Sequence, residues 1–178
     1  GTVSELLLRN IKSVPPEIGN LRGLTELDIR DGEFTSLPSE IGKLADLEYA
    51  HFSRITSQIV NPLKYLPESI GNLGNLKGLS IGNNNITSLP KSIGNLKKLT
   101  YLDAYGNQLK TLPDEIGRME NLQSMNVNDN QLSSLPNSIG NLKQLKNLIF
   151  DRNKLESIPS TIGTLTKLEE ISARDNLL

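Results

Sequence analysis

Few residues in this chain could do chemistry on a bound molecule. There is one histidine, His51, and no cysteine or tryptophan among 178 residues. Ser80 lies 29 positions after His51, and Asp103 lies 23 after Ser80. Together they have the composition of a nucleophilic triad, in which imidazole takes the serine proton and a carboxylate orients the imidazole. Other chemistry fares less well. Carboxylates are frequent enough to pair on Ca²⁺, yet no run has the ligand spacing of an EF-hand loop. The glycines of "GNLGNLKG" (71–78) lack the spacing and the preceding strand of a dinucleotide-binding turn. "NIT" at Asn85 matches a glycosylation acceptor, a triplet that arises often by chance. No cofactor and no metal site is expected. Whether the His–Ser–Asp row matters depends on the elements that hold it.

Those elements repeat. Pro15, Pro38, Pro67, Pro90, Pro113, Pro136 and Pro159 each follow an aliphatic residue, at spacings of 23, 29, 23, 23, 23 and 23. Ile-Gly recurs three residues after that proline seven times, from Ile18-Gly19 to Ile162-Gly163. Leucine recurs at 24, 47, 76, 99, 122, 145 and 168. Segments such as "LTELDI", "LKGLSI" and "LQSMNV" end in apolar–polar alternation, the period of a short strand with one face in a core. An asparagine follows at Asn61, Asn84, Asn107, Asn130, Asn153 and Asn176. A buried amide both donates and accepts, so stacked asparagines are expected to form a ladder that satisfies turn backbone no sheet reaches. The proline is expected to set φ for the first turn of a short α- or 3₁₀-helix. The glycine of Ile-Gly is expected to end it in a left-handed conformation.

One unit cannot bury its apolar side alone, so neighbours must stack into a solenoid. The expected fold is α/β: a curved right-handed solenoid of about eight repeats. A parallel sheet forms the concave wall, with strands ~4.8 Å apart, and short helices or 3₁₀ turns form the convex side. Residues 1–178 make one domain. On such an open wall His51, Ser80 and Asp103 stand on successive strands with no oxyanion hole and nothing to exclude water. The chain is therefore read as non-enzymatic, with no catalytic residue.

"LPKSIGNLKKLTYLDAYGNQLKT" (89–111) is a clean copy of the unit. It resembles the 23-residue leucine-rich repeat, LPxxIGNLxxLxxLxLxxNxL. That class is found in Ras-associated scaffold proteins, plant intracellular Ras-group repeat proteins and bacterial families such as the leptospiral ones. The resemblance spans essentially the whole chain. The related 24-residue unit of plant receptor kinases carries Leu-x-Gly-x-Ile-Pro, where this chain has Ser/Thr-Leu-Pro, which disfavours that branch. The resemblance implies protein–protein recognition, usually on the concave face, without naming a partner.

Departures from the repeat are expected to matter. Counted from Pro15, the first unit has Arg9 at the asparagine position and Ser4 at a core leucine position, so it reads as frayed or as a remnant cap. Gly32 replaces the second unit's asparagine, whose bonds must be missing or replaced by water. The last unit ends at "ARDNLL" without a polar cap, and bare ends leave self-association open. The third unit is six residues too long, with the surplus within 53–60. That is either a tolerated insertion, since loop closure costs little per residue, or a lip shaping a binding surface.

On the concave wall the outward strand positions hold Tyr49, His51, Ser80, Tyr101, Asp103, Tyr105, Asn126, Asn128, Ile149 and Arg174. Three of four tyrosines and the only histidine fall there, in a chain only 4% aromatic. They flank the small fourth unit as rings around a shallow dip. Tyrosine combines contact area with a polar tip and is enriched at binding hot spots, so this wall is the expected protein-binding surface. Glu26, Asp28, Asp31 and Glu33 read as a solvated acidic face rather than a site for a basic partner. The alternative function is a structural or self-associating segment of a larger protein. Lysine plus arginine number 19 against 20 acidic residues, and no basic stripe points to nucleic acid. "SELLLRN" is far short of the ~20 apolar residues of a membrane span. With no signal peptide in sight the chain reads as a mature or excised fragment. Cytoplasmic and bacterial secreted or surface locations stay open.

Overall fold

The computed structural model describes residues 3–53 and 63–178. Eight strands form one parallel sheet in chain order: β1 (Glu5–Arg9), β2 (Glu26–Arg30), β3 (Tyr49–His51), β4 (Gly78–Ser80), β5 (Tyr101–Asp103), β6 (Ser124–Asn126), β7 (Asn147–Ile149) and β8 (Glu170–Ser172). Between them, among the described residues, run seven five-residue 3₁₀ turns, from Pro16–Asn20 to Ser160–Thr164, stacked along the opposite side. The molecule is an open solenoid of stacked strand-and-turn units. Its core lies between the two layers and is filled from the periodic positions: Leu76, Leu79, Ile81, Ile86 and Ile93 of one unit are all fully buried. The extended third unit leaves the sheet undisturbed. Tyr49, Ala50 and His51 pair with Gly78, Leu79 and Ser80, and the frame resumes with Leu63 buried. The surplus residues 54–60 and Asn61 lie outside the described residues.

The asparagine ladder runs from Asn84 to Asn176. The Asn107 amide donates to the carbonyls of Ile81, Ala104 and Tyr105 at 2.9–3.3 Å, and its Oδ1 accepts the Ile86 N–H at 3.0 Å. Asn130 and Asn153 repeat the pattern, and Asn176 closes it. Asn84 makes the donor bonds, while its Oδ1 has no partner among the described residues.

Three local expectations are corrected. The Ile-Gly glycines do not turn left-handed: among the described residues the only glycines at positive φ are Gly23 and Gly106. They are needed for space. A Cβ on Gly94 would stand 2.3 Å from the Glu115 carbonyl oxygen, and one on Gly71 would stand 2.4 Å from that of Ser92. The prolines precede their turns rather than starting them, Pro16 excepted. Pro90 is extended (φ −67°, ψ 150°), and its carbonyl accepts the Ile93 N–H at 3.1 Å, opening the turn. The first unit carries a full strand. Its register sets Leu6 opposite Leu27 and Arg9 opposite Arg30, so Ser4 is not at the core position. The Ser4 carbonyl instead accepts from the Thr25 and Glu26 N–H groups. This unit is two residues shorter than its neighbours after the strand, which is why counting back from Pro15 misplaced both residues.

At Gly32 the missing amide is replaced by packing. A Cβ there would lie 2.5 Å from the Phe34 ring, and Phe34 is buried where most units place a smaller aliphatic. Ring and glycine are complementary, and an apolar contact stands where a hydrogen-bonded amide stands elsewhere.

Candidate functional site

Parallel register turns sequence spacing into rows on the sheet face. One row is Glu26, Tyr49, Gly78, Tyr101, Ser124, Asn147 and Glu170. The next is Asp28, His51, Ser80, Asp103, Asn126, Ile149 and Ser172. Two residues beyond each strand position follow Ser53, Gly82, Tyr105, Asn128, Asp151 and Arg174. Of the ten residues expected on the binding wall, Tyr49, His51, Ser80, Tyr101, Asp103 and Tyr105 gather on β3–β5 and the corners that follow. Asn126 and Asn128 adjoin them one strand away. Ile149 and Arg174 lie two and three strands from β5, roughly 10 and 14 Å at ordinary strand spacing, and belong to the far end of the face.

The fourth unit is not an open dip. A Cβ on Gly78 would meet the Tyr49 ring at 2.9 Å, and one on Gly82 would collide with the Tyr105 ring. The two rings lie over the two glycines from opposite sides and fill the hollow. Asn83 holds the second ring by donating from Nδ2 to the Tyr105 hydroxyl at 2.5 Å. Asn83 sits at the corner after β4 with φ 53°, a left-handed position that asparagine tolerates better than most residues. Tyr49 and Tyr101 are each 42% exposed, so both rings are offered to solvent, Tyr49 with Gly78 beneath it.

A chain of hydroxyls runs beneath them. The Gly82 N–H donates to Ser53 Oγ (3.0 Å), Ser53 and Ser80 share a bond of 2.6 Å, and Ser80 Oγ donates to Asp103 Oδ2 (3.4 Å). Asp103 is 7% exposed and also receives the Tyr105 N–H at 3.4 Å. Burial raises its carboxyl above the ordinary value of 3.8, against the opposing pull of the Tyr105 N–H and the Ser80 and Tyr101 hydroxyls. Burial and then the Asp103 charge push the Tyr101 phenol up to about 12. Tyr105 is raised by burial first and Asp103 second.

His51, Ser80 and Asp103 do stand in one row. The Ser80 hydroxyl is taken by Ser53 and Asp103, and among the described residues no hydrogen bond joins it to His51. The acidic group on the second unit is also not what its sequence suggests. Asp28 is 5% exposed and paired with Arg9 (2.7 Å) and Arg30 (2.8 Å), so it presents no free charge. Among the described residues no cluster of three or more His, Asp or Glu side chains could hold a metal ion. No helix among them is long and apolar enough to cross a membrane.

Sequence reasoning placed Gly78, Gly82 and Asn83 on the outward face of the fourth unit but read them as a shallow dip, and it missed Ser53. The seating of the rings could have been found: glycine at an outward strand position beside a tyrosine one unit away signals a ring lying across the backbone. Ser53 was legible only as the residue two after His51.

A sequence model described as a leucine-rich repeat region matches residues 93–176, and another, described as a leucine rich repeat, matches 61–109. The chain is a leucine-rich-repeat protein. None of the curated proteins searched matches it. Several solved leucine-rich-repeat structures do. One, a protein of Leptospira interrogans, is 31% identical over 94% of this chain and 47% of its own, with a TM-score of 0.68. A TDR receptor superposes with a TM-score of 0.79 at 26% identity, over 96% of this chain and 29% of the receptor. The plant peptide hormone receptor RGFR1 in complex with RGF2 gives 0.69 at 30% identity, over 97% and 32%. The leucine-rich-repeat chain described here thus spans less than half the length of each of these relatives.

Proposed function

We propose that this leucine-rich-repeat segment is a non-enzymatic recognition module that binds a protein or peptide on its sheet face, around Tyr49, His51, Tyr101 and Tyr105. One observation carries it. Three tyrosines of an aromatic-poor chain converge from β3, from β5 and from the corner after β5, and two of them lie over glycines of the intervening fourth unit, with Tyr105 tied in place by Asn83. A ring already fixed loses little entropy when a partner covers it, and binding energy concentrates in such anchors. RGFR1, a relative of the same fold, was solved with a bound partner, RGF2. The near-even balance of charge favours a protein partner over nucleic acid.

The test is selection of peptides from a displayed random library on the intact chain. Their affinity is then measured against Tyr49→Ala/Tyr101→Ala/Tyr105→Ala, with circular dichroism confirming the fold. A loss of tenfold or more places binding on the tyrosines. Selected peptides that bind the triple variant as tightly as the parent chain would overturn the proposal.

A further inference from the structure

Three aspartates are nearly buried on the sheet face, and their surroundings differ. Asp28 is neutralised by two guanidinium groups. Asp151 accepts two short bonds of 2.7 Å, from Ser172 Oγ and the Arg174 N–H. Asp103 has neither. Its bonds from Ser80 and the Tyr105 N–H are both 3.4 Å, near the limit at which a hydrogen bond retains strength. The Tyr101 hydroxyl assists. Among the described residues no Lys, Arg or His forms an ion pair with it. A buried carboxylate held only by long, uncharged donors is costly, and the chain has the means to avoid it, as Asp28 and Asp151 show.

The surroundings complete a recognisable shape. Tyr101 and Asp103 on β5 and Tyr105 just beyond it are alternate residues on one face, so the nearly buried carboxylate lies between two phenol-bearing side chains. Tyr105 is tilted over Gly82 and tied there by Asn83, which fixes one wall. Tyr101, 42% exposed, forms the other. Aromatic faces beside a carboxylate attract a cation twice, through the ring quadrupole and through charge.

We infer that Asp103, between Tyr101 and Tyr105, is the subsite for a positively charged group of the bound peptide or protein, a Lys or Arg side chain or an α-ammonium. It rests on the sheet face being the binding surface. Asp103 is the specificity element there: the tyrosines supply area, and the carboxylate selects for charge.

The peptides selected on the intact chain serve as probes. They should carry a basic residue or depend on a free α-amino group. Asp103→Asn keeps the side chain's shape and an acceptor while removing the charge, and should weaken binding tenfold or more. On the unmodified protein, norleucine in place of the basic residue should cost a similar factor, and acetylating the peptide N-terminus separates α-ammonium recognition from side-chain recognition. On Asp103→Asn the same peptide change should cost little. If peptides lose affinity on the tyrosine variant yet bind Asp103→Asn unchanged, the cation subsite is wrong and the sheet-face assignment stands. If neither variant affects binding, both are wrong. Should Asp103→Asn misfold, the norleucine and acetylated peptides decide on the unmodified chain. Unchanged affinity for both would overturn the inference.

Discussion

Gly94→Ala adds one methyl group on the helical side, far from the sheet face. The new Cβ would lie 2.3 Å from the Glu115 carbonyl oxygen and 2.9 Å from the Glu115 Cβ. Ordinary contact begins at 3.4 Å, so the neighbouring turn must retreat by about 1 Å, as 3.4 minus 2.3 shows. That turn is held by its own Ile116 and Met119 in the core, both fully buried. Overpacking of this kind costs ~1–3 kcal/mol. For a chain of this length each kcal/mol moves the thermal midpoint by ~2–4 °C, so a fall of roughly 2–12 °C is expected. Gly163→Ala is the control at the equivalent position of the last turn. Nothing lies within 4 Å of its Cβ and its φ is not positive, so alanine should be neutral or stabilising by up to ~1 kcal/mol through the unfolded chain. Calorimetry and urea unfolding measure both, with the urea slope checking that the solenoid still unfolds as a unit. Equal midpoints for the two variants would refute the steric account of the Ile-Gly step. So would a Gly94→Ala protein as stable as its parent.

Gly32→Asn restores the repeat's consensus and should nevertheless destabilise by ~1–3 kcal/mol, because the Phe34 ring occupies the space; a raised urea midpoint would count against that packing. Asp103→Asn should raise the melting temperature at pH 7. The folded carboxyl titrates above 3.8, so its ionisation opposes folding fully above the raised value and not at all below 3.8. The gain should therefore shrink on acidification through that window, and a gain independent of pH would contradict the assignment. Tyr101 should ionise at about 12 rather than 10.0. Between those values the unfolded chain gains the charge first, so stability should fall as pH rises across that window. In absorbance titration Tyr101→Phe should remove the late step; a late step that persists would assign it to another tyrosine.

The strands, the core leucines and the asparagine ladder could be read from the sequence because they recur. Each does the same job in every unit, and a job repeated at constant spacing is visible without coordinates. The site was legible only in outline. Strand alternation placed Tyr49, Tyr101 and Tyr105 outward in the units that flank the fourth. It could not show that two of the rings lie down over Gly78 and Gly82, because that depends on side-chain direction across units. Asp28 illustrates the same limit. Its charge is plain in the sequence, but the guanidinium groups of Arg9 and Arg30 that cancel it come from the first strand and from its own.

By itself, then, the sequence determined the repeat, its period and the family. Apolar spacing, proline, glycine and asparagine constrain the backbone locally, and a solenoid repeats its local rules. Only the tertiary structure decided what each exception does. The Ile-Gly glycines serve close stacking rather than a left-handed turn, Phe34 fills the place of an absent amide, and of three buried aspartates only Asp103 lacks a charged or short-bonded partner among the described residues. Each of those outcomes depends on which atoms the next unit brings within about 3 Å, and that distance is set by stacking, not by any residue's own preference.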